Sequence, residues 1–168
     1  IISADSRQVF KGLDIGTGKD LKEYGKIKYH LIDICEPMDE FTLFDWLEMA
    51  NKKIEKMLSE GKLPIVVGGT GLYVQALVEG FAYESQKINT QRLLSRDELE
   101  SKSNEDLVKI LIKLDGGSLP KIDINNSRRL IRAIELHQEG KIPIKKGSRF
   151  NFLRIGLILD RAKLYQRI

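Results

Sequence analysis

Asp5, followed by Ser6, Arg7 and Gln8, closes a short apolar run at the front of the chain, and Gly68-Gly69-Thr70-Gly71 closes a second one. A carboxylate just after a strand stands where open α/β sheets place their ligands, and there it can serve as a general base or help hold magnesium. Aspartates of this kind also close turns and cap helices. Glycines between a buried strand and a helix N-terminus let backbone N–H groups approach an anion, and the helix dipole favours phosphate at that end. Thr70 adds a hydroxyl donor, although a plain tight turn has the same composition.

Other motifs carry less. Gly16-Thr17-Gly18-Lys19 is not a Walker A loop, because Leu13 stands five before Gly18 and Asp20 follows the lysine where Ser or Thr is needed. No intact Walker A motif occurs in the chain. His30 and His137 are far apart and read as structural, nothing has zinc-ligand spacing, and no Ser-His-Asp set can be assembled. Arg128 and Arg132 lie four apart with Arg129 beside them, a spacing that puts a basic cluster on one side of a helix.

Residues 1–4 and 64–67 read as short parallel strands, the second (PIVV) as fully covered, and residues 29–34 (YHLIDI) give a further strand signal. A helix is expected over about 42–60, with Leu43, Leu47, Ala50, Ile54 and Met57 forming its apolar stripe and Gly61 its stop. Another is expected from Leu72 to about 79. Further helices are expected from a cap at Asn104 to about 114, and from Asn126 to about 139 with Leu130, Ile134 and His137 on one face. Residues 141–149 read as a basic loop and 152–159 (FLRIGLIL) as a returning strand. Strand, helix, strand, glycine turn and helix in succession indicate a parallel α/β sheet. The expected organisation is an α/β core over 1–84, a helical insertion over 85–150, and a return to the core over 151–168.

The 168 residues suffice for one core with a modest insertion. A hydrophobic content of 42% and a charged content of 31% describe an ordinary globular protein. No apolar run approaches the roughly 18 residues of a membrane span. Cys35 is the only cysteine, which excludes an intrachain disulfide and fits a reducing, cytoplasmic setting. The net charge of +4 is unevenly spread: residues 121–168 hold 12 Lys+Arg against 4 Asp+Glu. Such a basic third fits a polyanion such as RNA, and equally a solvated helix face.

Taken together, IISADSRQVFKGLDIGTGKD, YHLIDICEP, PIVVGGTGLYVQALVEG, INNSRRLIRAIEL and LRIGLILDRAKLYQRI resemble the bacterial-type tRNA dimethylallyltransferases in order and spacing. The Asp-Ser-Arg-Gln turn resembles the tRNA-modifying branch rather than the adenylate prenyltransferases. The resemblance implies a P-loop-type, nucleotide- and ATP-binding class of α/β core with a helical insertion. It implies transfer of a dimethylallyl group from dimethylallyl diphosphate, with Mg2+, to N6 of the adenosine 3′ to the anticodon of tRNA. Asp5 would be the general base and Thr70 a residue near the diphosphate and the reacting base. Gly69, Thr70 and Arg161 would face the diphosphate, and residues 5–8, Thr70, Arg92, and Arg128, Arg129, Leu130, Ile131 and Arg132 would contact the anticodon arm. The family's phosphate-binding loop would precede Ile1, so the chain reads as an inactive fragment of a cytoplasmic, monomeric enzyme. A P-loop phosphotransferase and a non-catalytic RNA-binding remnant are the rival readings.

Overall fold

A computed structural model describes residues 1–85, 93–115 and 122–166. Two compact units emerge: Ile1–Gly80 with Gly147–Ile168, and Phe81–Lys146. The expected division at 84 and 150 thus moves to 80 and 146. Its cause is an antiparallel pairing of 81–85 with 141–145, which gathers both segments into the second unit.

In the first unit, strand β1 (Ile2–Ser3) pairs in parallel with β2 (Val66–Val67), in the register Ile2 to Val66 and Ser3 to Val67. Residues 29–34 do not form the expected strand. A single parallel bridge joins His30 to Ile2, and then Leu31 and Asp33 turn the backbone to positive φ (64° and 55°), which ends the ladder. The covered state expected for 64–67 is also not found, since Ile65 and Val67 are 53% and 55% exposed.

Helix α1 (Leu43–Ser59) starts where a capping box dictates: Thr42 accepts from the Asp45 N–H, and Asp45 accepts in return from the Thr42 N–H. Its buried face holds Trp46, Leu47, Ala50 and Ile54. Trp46 stacks on Tyr73 of α2 (Gly71–Glu79) with ring centroids 4.6 Å apart, and its indole N–H donates to the Ser3 carbonyl at 2.9 Å. One aromatic side chain therefore ties both helices to the strand that leads into Asp5.

The chain leaves this unit at Gly80 and returns at Gly147. Gly80 has φ 66°, and a Cβ there would meet the Gly147 carbonyl oxygen at 1.9 Å, so only glycine allows the two segments to pass this closely. Beyond Gly147, residues 152–159 do not form the expected strand. They find no ladder partner among the described residues, and Leu157 and Ile158 are each 97% exposed. The short helix α6 (Arg161–Tyr165) follows, capped by Asp160, which accepts from the Ala162 and Lys163 N–H groups.

The second unit opens and closes with an antiparallel pair, β3 (Phe81–Ser85) and β4 (Lys141–Lys145), in the register Phe81 to Lys145 and Ser85 to Lys141. The basic loop expected over 141–149 is therefore half strand. Between the strands lie α3 (Arg96–Glu100), α4 (Asn104–Asp115) and α5 (Ser127–Gln138). Ser103, not Asn104, caps α4 by accepting from the Asp106 N–H. Leu99, Leu107, Leu111, Leu130, Ile131 and Ile134 form the core of the three helices. Each contributes roughly 1.5–3 kcal/mol relative to exposure, before the entropy of ordering is subtracted. His137 lies half-buried beside that face and is not part of the core. Gln138 is buried, accepts from the Leu94 N–H and donates to the Leu94 carbonyl, fixing the entry to α3 onto α5.

Candidate functional site

Asp5 and Thr70 meet at the C-terminal ends of β1 and β2. The Ala4 N–H donates to the Val67 carbonyl at 2.7 Å and the Thr70 N–H to the Ala4 carbonyl at 3.1 Å, so the two strand ends stay locked as they turn away from the sheet. Gly68 is required at this crossing because a Cβ would lie 2.2 Å from the Ala4 carbonyl oxygen. The Thr70 hydroxyl accepts from the Ser6 N–H at 2.9 Å and donates to the Ser6 hydroxyl at 3.2 Å. The 5–8 turn and the glycine turn are thereby one structure.

Asp5 divides its two oxygens between structure and solvent. Oδ1 accepts from the Arg7 and Gln8 N–H groups at 2.8 and 3.3 Å, which fixes the carboxylate. Oδ2 takes no hydrogen bond from the described residues and faces the backbone of Gly69, where a Cβ would lie 3.8 Å away. Thr70 stands at the N-cap of α2 with no side-chain capping bond; the Thr70, Gly71 and Tyr73 N–H groups donate to the Ala4, Gly69 and Thr70 carbonyls, which leaves the Leu72 N–H of the first turn without a partner among the described residues. An orientable carboxylate oxygen beside a glycine-lined helix N-terminus can take a proton from one group while the helix end receives an anion.

The remaining turn residues separate. Arg7 is exposed, whereas Gln8 is fully engaged: its Oε1 accepts from the Ser3 hydroxyl and its Nε2 donates to the Thr17 and Gly18 carbonyls. Gln8 thus braces the 10–20 loop and has little hydrogen-bonding capacity left for a partner. The lysine of the GTGK stretch is also spoken for. Lys19 is buried, and its ammonium donates to the Phe10 carbonyl, Asp14 and Asp33, all within 2.8 Å. The two carboxylates hold its pKa above the usual value against the opposing effect of burial. It is a clasp for two loops and not a phosphate ligand. Lys19→Met should lower the unfolding free energy by roughly 1–3 kcal/mol, read from the urea midpoint, by stranding the Phe10 carbonyl and both acids.

In the second unit, Arg128, Arg129 and Arg132 are exposed on α5, while Leu130 and Ile131 between them are buried in the three-helix core. Only the arginines of that stretch present side chains to solvent. Arg128 and Arg129 make no ion pair among the described residues. Arg132 donates to Glu135 at 3.3 Å and toward the Tyr83 hydroxyl at 3.5 Å. Lys141 stands 6.0 Å from the Tyr83 ring centre and Lys145 5.7 Å from that of Phe81, so the β3–β4 pair carries an alternating aromatic and basic surface. The alternation of KIPIK against FAYES is the signal that would have revealed it.

Arg92 lies outside the described residues. Arg161 is exposed, and its guanidinium donates to the Tyr165 hydroxyl at 3.1 Å and lies over that ring, so its contacts are within its own helix and not with Gly69 or Thr70. No group of three or more His, Cys, Asp or Glu converges among the described residues. His30 is partly buried at the opposite end of β1 from Asp5.

The sequence model of the family described as IPP transferase matches residues 8–168. A tRNA dimethylallyltransferase of Lactococcus lactis is 43% identical over 169 residues, which cover all of this chain and 56% of the relative. One from Acetivibrio thermocellus is 43% identical over 178 residues and is covered to 57%. Among solved structures, the tRNA isopentenylpyrophosphate transferase of Bacillus halodurans superposes with a TM-score of 0.57 at 36% identity, over 99% of this chain and 54% of that one. A eukaryotic dimethylallyltransferase caught acting on tRNA gives a TM-score of 0.65 at 30% identity, over 83% of this chain and 35% of that one. This chain spans a little over half the length of the curated relatives it matches.

Proposed function

Because this chain belongs to the IPP transferase family, we propose that the protein transfers a dimethylallyl group from dimethylallyl diphosphate to N6 of the adenosine 3′ to the anticodon in tRNA. The observation that carries the reading is the Asp5 carboxylate, held through Oδ1 and open at Oδ2 beside the glycine turn. An adenine amino group is a poor nucleophile, because its lone pair is delocalised into the ring. As the N6–C bond forms and the allylic C–O bond breaks, a proton leaves N6 and diphosphate departs. Asp5 Oδ2 takes the proton, and the N-terminus of α2 with Gly69 and Thr70 receives the diphosphate. The target base leaves its stack to reach this turn, as in base flipping.

Magnesium belongs to the substrate side of this reading. One open carboxylate oxygen and two hydroxyls do not make a protein-held magnesium site, so the ion accompanies the diphosphate. The protein is taken as a cytoplasmic monomer. Its one cysteine is unpaired, and among the described residues no helix is long and apolar enough to cross a membrane.

The test of the reaction is transfer of label from dimethylallyl diphosphate to tRNA by a protein of the relatives' length that carries this chain, with the product nucleoside identified by mass. No transfer of the dimethylallyl label, with phosphate instead moved from labelled ATP to a nucleotide acceptor, would favour the phosphotransferase alternative. The arginines make a separate expectation. Replacing Arg128, Arg129 and Arg132 with alanine should weaken tRNA binding and lower the slope of log affinity against log salt by about 2–3. The pair Arg128 and Arg129 should account for most of it, since Arg132 is already engaged with Glu135. An unchanged slope would leave the cluster a solvated face.

A further inference from the structure

An open groove of about 410 Å³ lies in the first unit, at the edge of the sheet where β1 and β2 begin. Lys28, His30, Lys53, Lys56, Met57, Glu60 and Lys62 line it. Asp5 and Thr70 follow the other ends of the same strands, so the groove is separate from the candidate site, roughly 10–13 Å away along β1. Its wall is fixed by backbone bonds: the His30 N–H donates to the Ile1 carbonyl, and the Ser3 N–H to the His30 carbonyl. Lys53 and Lys56 project from the C-terminal half of α1, one helical turn apart.

The charge in the groove is not balanced. Glu60 is its only acid, and Lys62 already engages it. Lys28, Lys53 and Lys56 make no ion pair among the described residues. Lysines in the last turns of a helix complement its dipole, which explains one or two of them, but not Lys28 converging from a different segment. The donors present also narrow the partner. No arginine fork lines the groove, and neither does a tyrosine, phenylalanine or tryptophan on which a base would stack. Ammonium groups on flexible stems hold phosphodiesters as point charges, without reading sequence.

We propose that this groove holds backbone phosphates of the RNA substrate, as an accessory contact on the edge of the sheet opposite Asp5. The proposal rests on the tRNA reading above. His30 is its internal reporter: burial, and then Lys53, the N-terminal ammonium of Ile1, Lys28 and Lys56, hold the imidazole below its ordinary pKa, and a phosphate seated among these cations would raise it.

The experiment uses the 168-residue chain, a tRNA transcript, poly(U) and inorganic phosphate. The variant Lys53→Gln/Lys56→Gln should lower the salt slope for tRNA by about 1.4–1.8 and its affinity roughly 25- to 60-fold at 0.1 M salt, while Lys53→Arg/Lys56→Arg stays near the unaltered chain. The His30 pKa, followed by NMR, should rise with poly(U) and much less with inorganic phosphate at equal phosphate concentration. An unchanged slope in the glutamine variant, with tRNA still bound, overturns the groove and leaves the tRNA reading standing. If a protein of the relatives' length that carries this chain binds no tRNA, the tRNA reading is what fails, and a poly(U)-dependent rise at His30 still supports an RNA-backbone groove. Inorganic phosphate matching poly(U) at His30 would make it a small-anion site and overturn the proposal.

Discussion

Asp5→Ala, in a protein of the relatives' length that carries this chain, is expected to lose roughly 10²–10⁴-fold in kcat while tRNA affinity changes little. Alanine removes two things at once, the open Oδ2 and the Oδ1 that accepts from the Arg7 and Gln8 N–H groups. Asp5→Asn separates them. Its carbonyl oxygen can still accept both turn hydrogen bonds, but its amide cannot take a proton. A base role therefore predicts Asp5→Asn to be nearly as slow as Asp5→Ala, with the urea midpoint of the native chain. If Asp5 only shapes the turn, Asp5→Asn should be close to fully active. Asp5→Glu keeps a carboxylate displaced by one methylene and should retain a small residue of turnover. A raised KM for tRNA with kcat unchanged would move Asp5 from the chemistry to binding, and the proton would then pass to the departing diphosphate.

The parts of the fold legible in the sequence were those whose signals are local. The period of Leu47, Ala50 and Ile54 and the stop at Gly61 act within a few residues, and α1 lies where they place it, its start fixed by the Thr42 to Asp45 capping box that the structure adds. The same holds for the glycine turn and α2, and for α5 with its Asn126 cap. What local pattern could not supply was partners. FLRIGLIL has the composition of a strand, but a ladder needs a neighbouring edge, and none is present among the described residues. The pair β3 and β4 shows the reverse. KIPIK carries a proline and two lysines and reads as loop until FAYES, some 60 residues earlier in the chain, is set against it.

The site was legible in residue type and only partly in role. Asp5 and Thr70 stand in separate motifs of the sequence, and the structure joins them through Ser6. Gln8 and Lys19 illustrate the limit: each looks available in a polar, glycine-rich stretch, and each is consumed by bonds to carbonyls and carboxylates that no spacing rule reveals. Of the 128–132 stretch, helical period alone assigns Leu130 to the core and the arginines to solvent. Ile131, three before Ile134, is buried with it in the core that α3, α4 and α5 share.

Trp46 is expected to be the costliest single truncation in the first unit. It is fully buried, it stacks on Tyr73, and its Nε1 is the donor to the Ser3 carbonyl two residues before Asp5. Trp46→Ala should lower the unfolding free energy by about 3–5 kcal/mol, the range for emptying an aromatic site in a core that collapses only partly. Trp46→Phe keeps a ring against Tyr73 but leaves the Ser3 carbonyl without its donor, and should cost about 1–3 kcal/mol. Since Trp46 is the only tryptophan, its own fluorescence cannot follow the variants, and the urea transition is best read by far-ultraviolet circular dichroism. The same bond links stability to chemistry. A displaced Ser3 carries Ala4 with it, and Ala4 is the residue whose carbonyl holds Thr70 and whose N–H holds Val67. Trp46→Phe should therefore also lower kcat at temperatures where the variant is fully folded. A variant with native turnover and a native midpoint would show that β1 is held in place without the indole, and that the Asp5 turn is positioned by the Gly68 crossing alone.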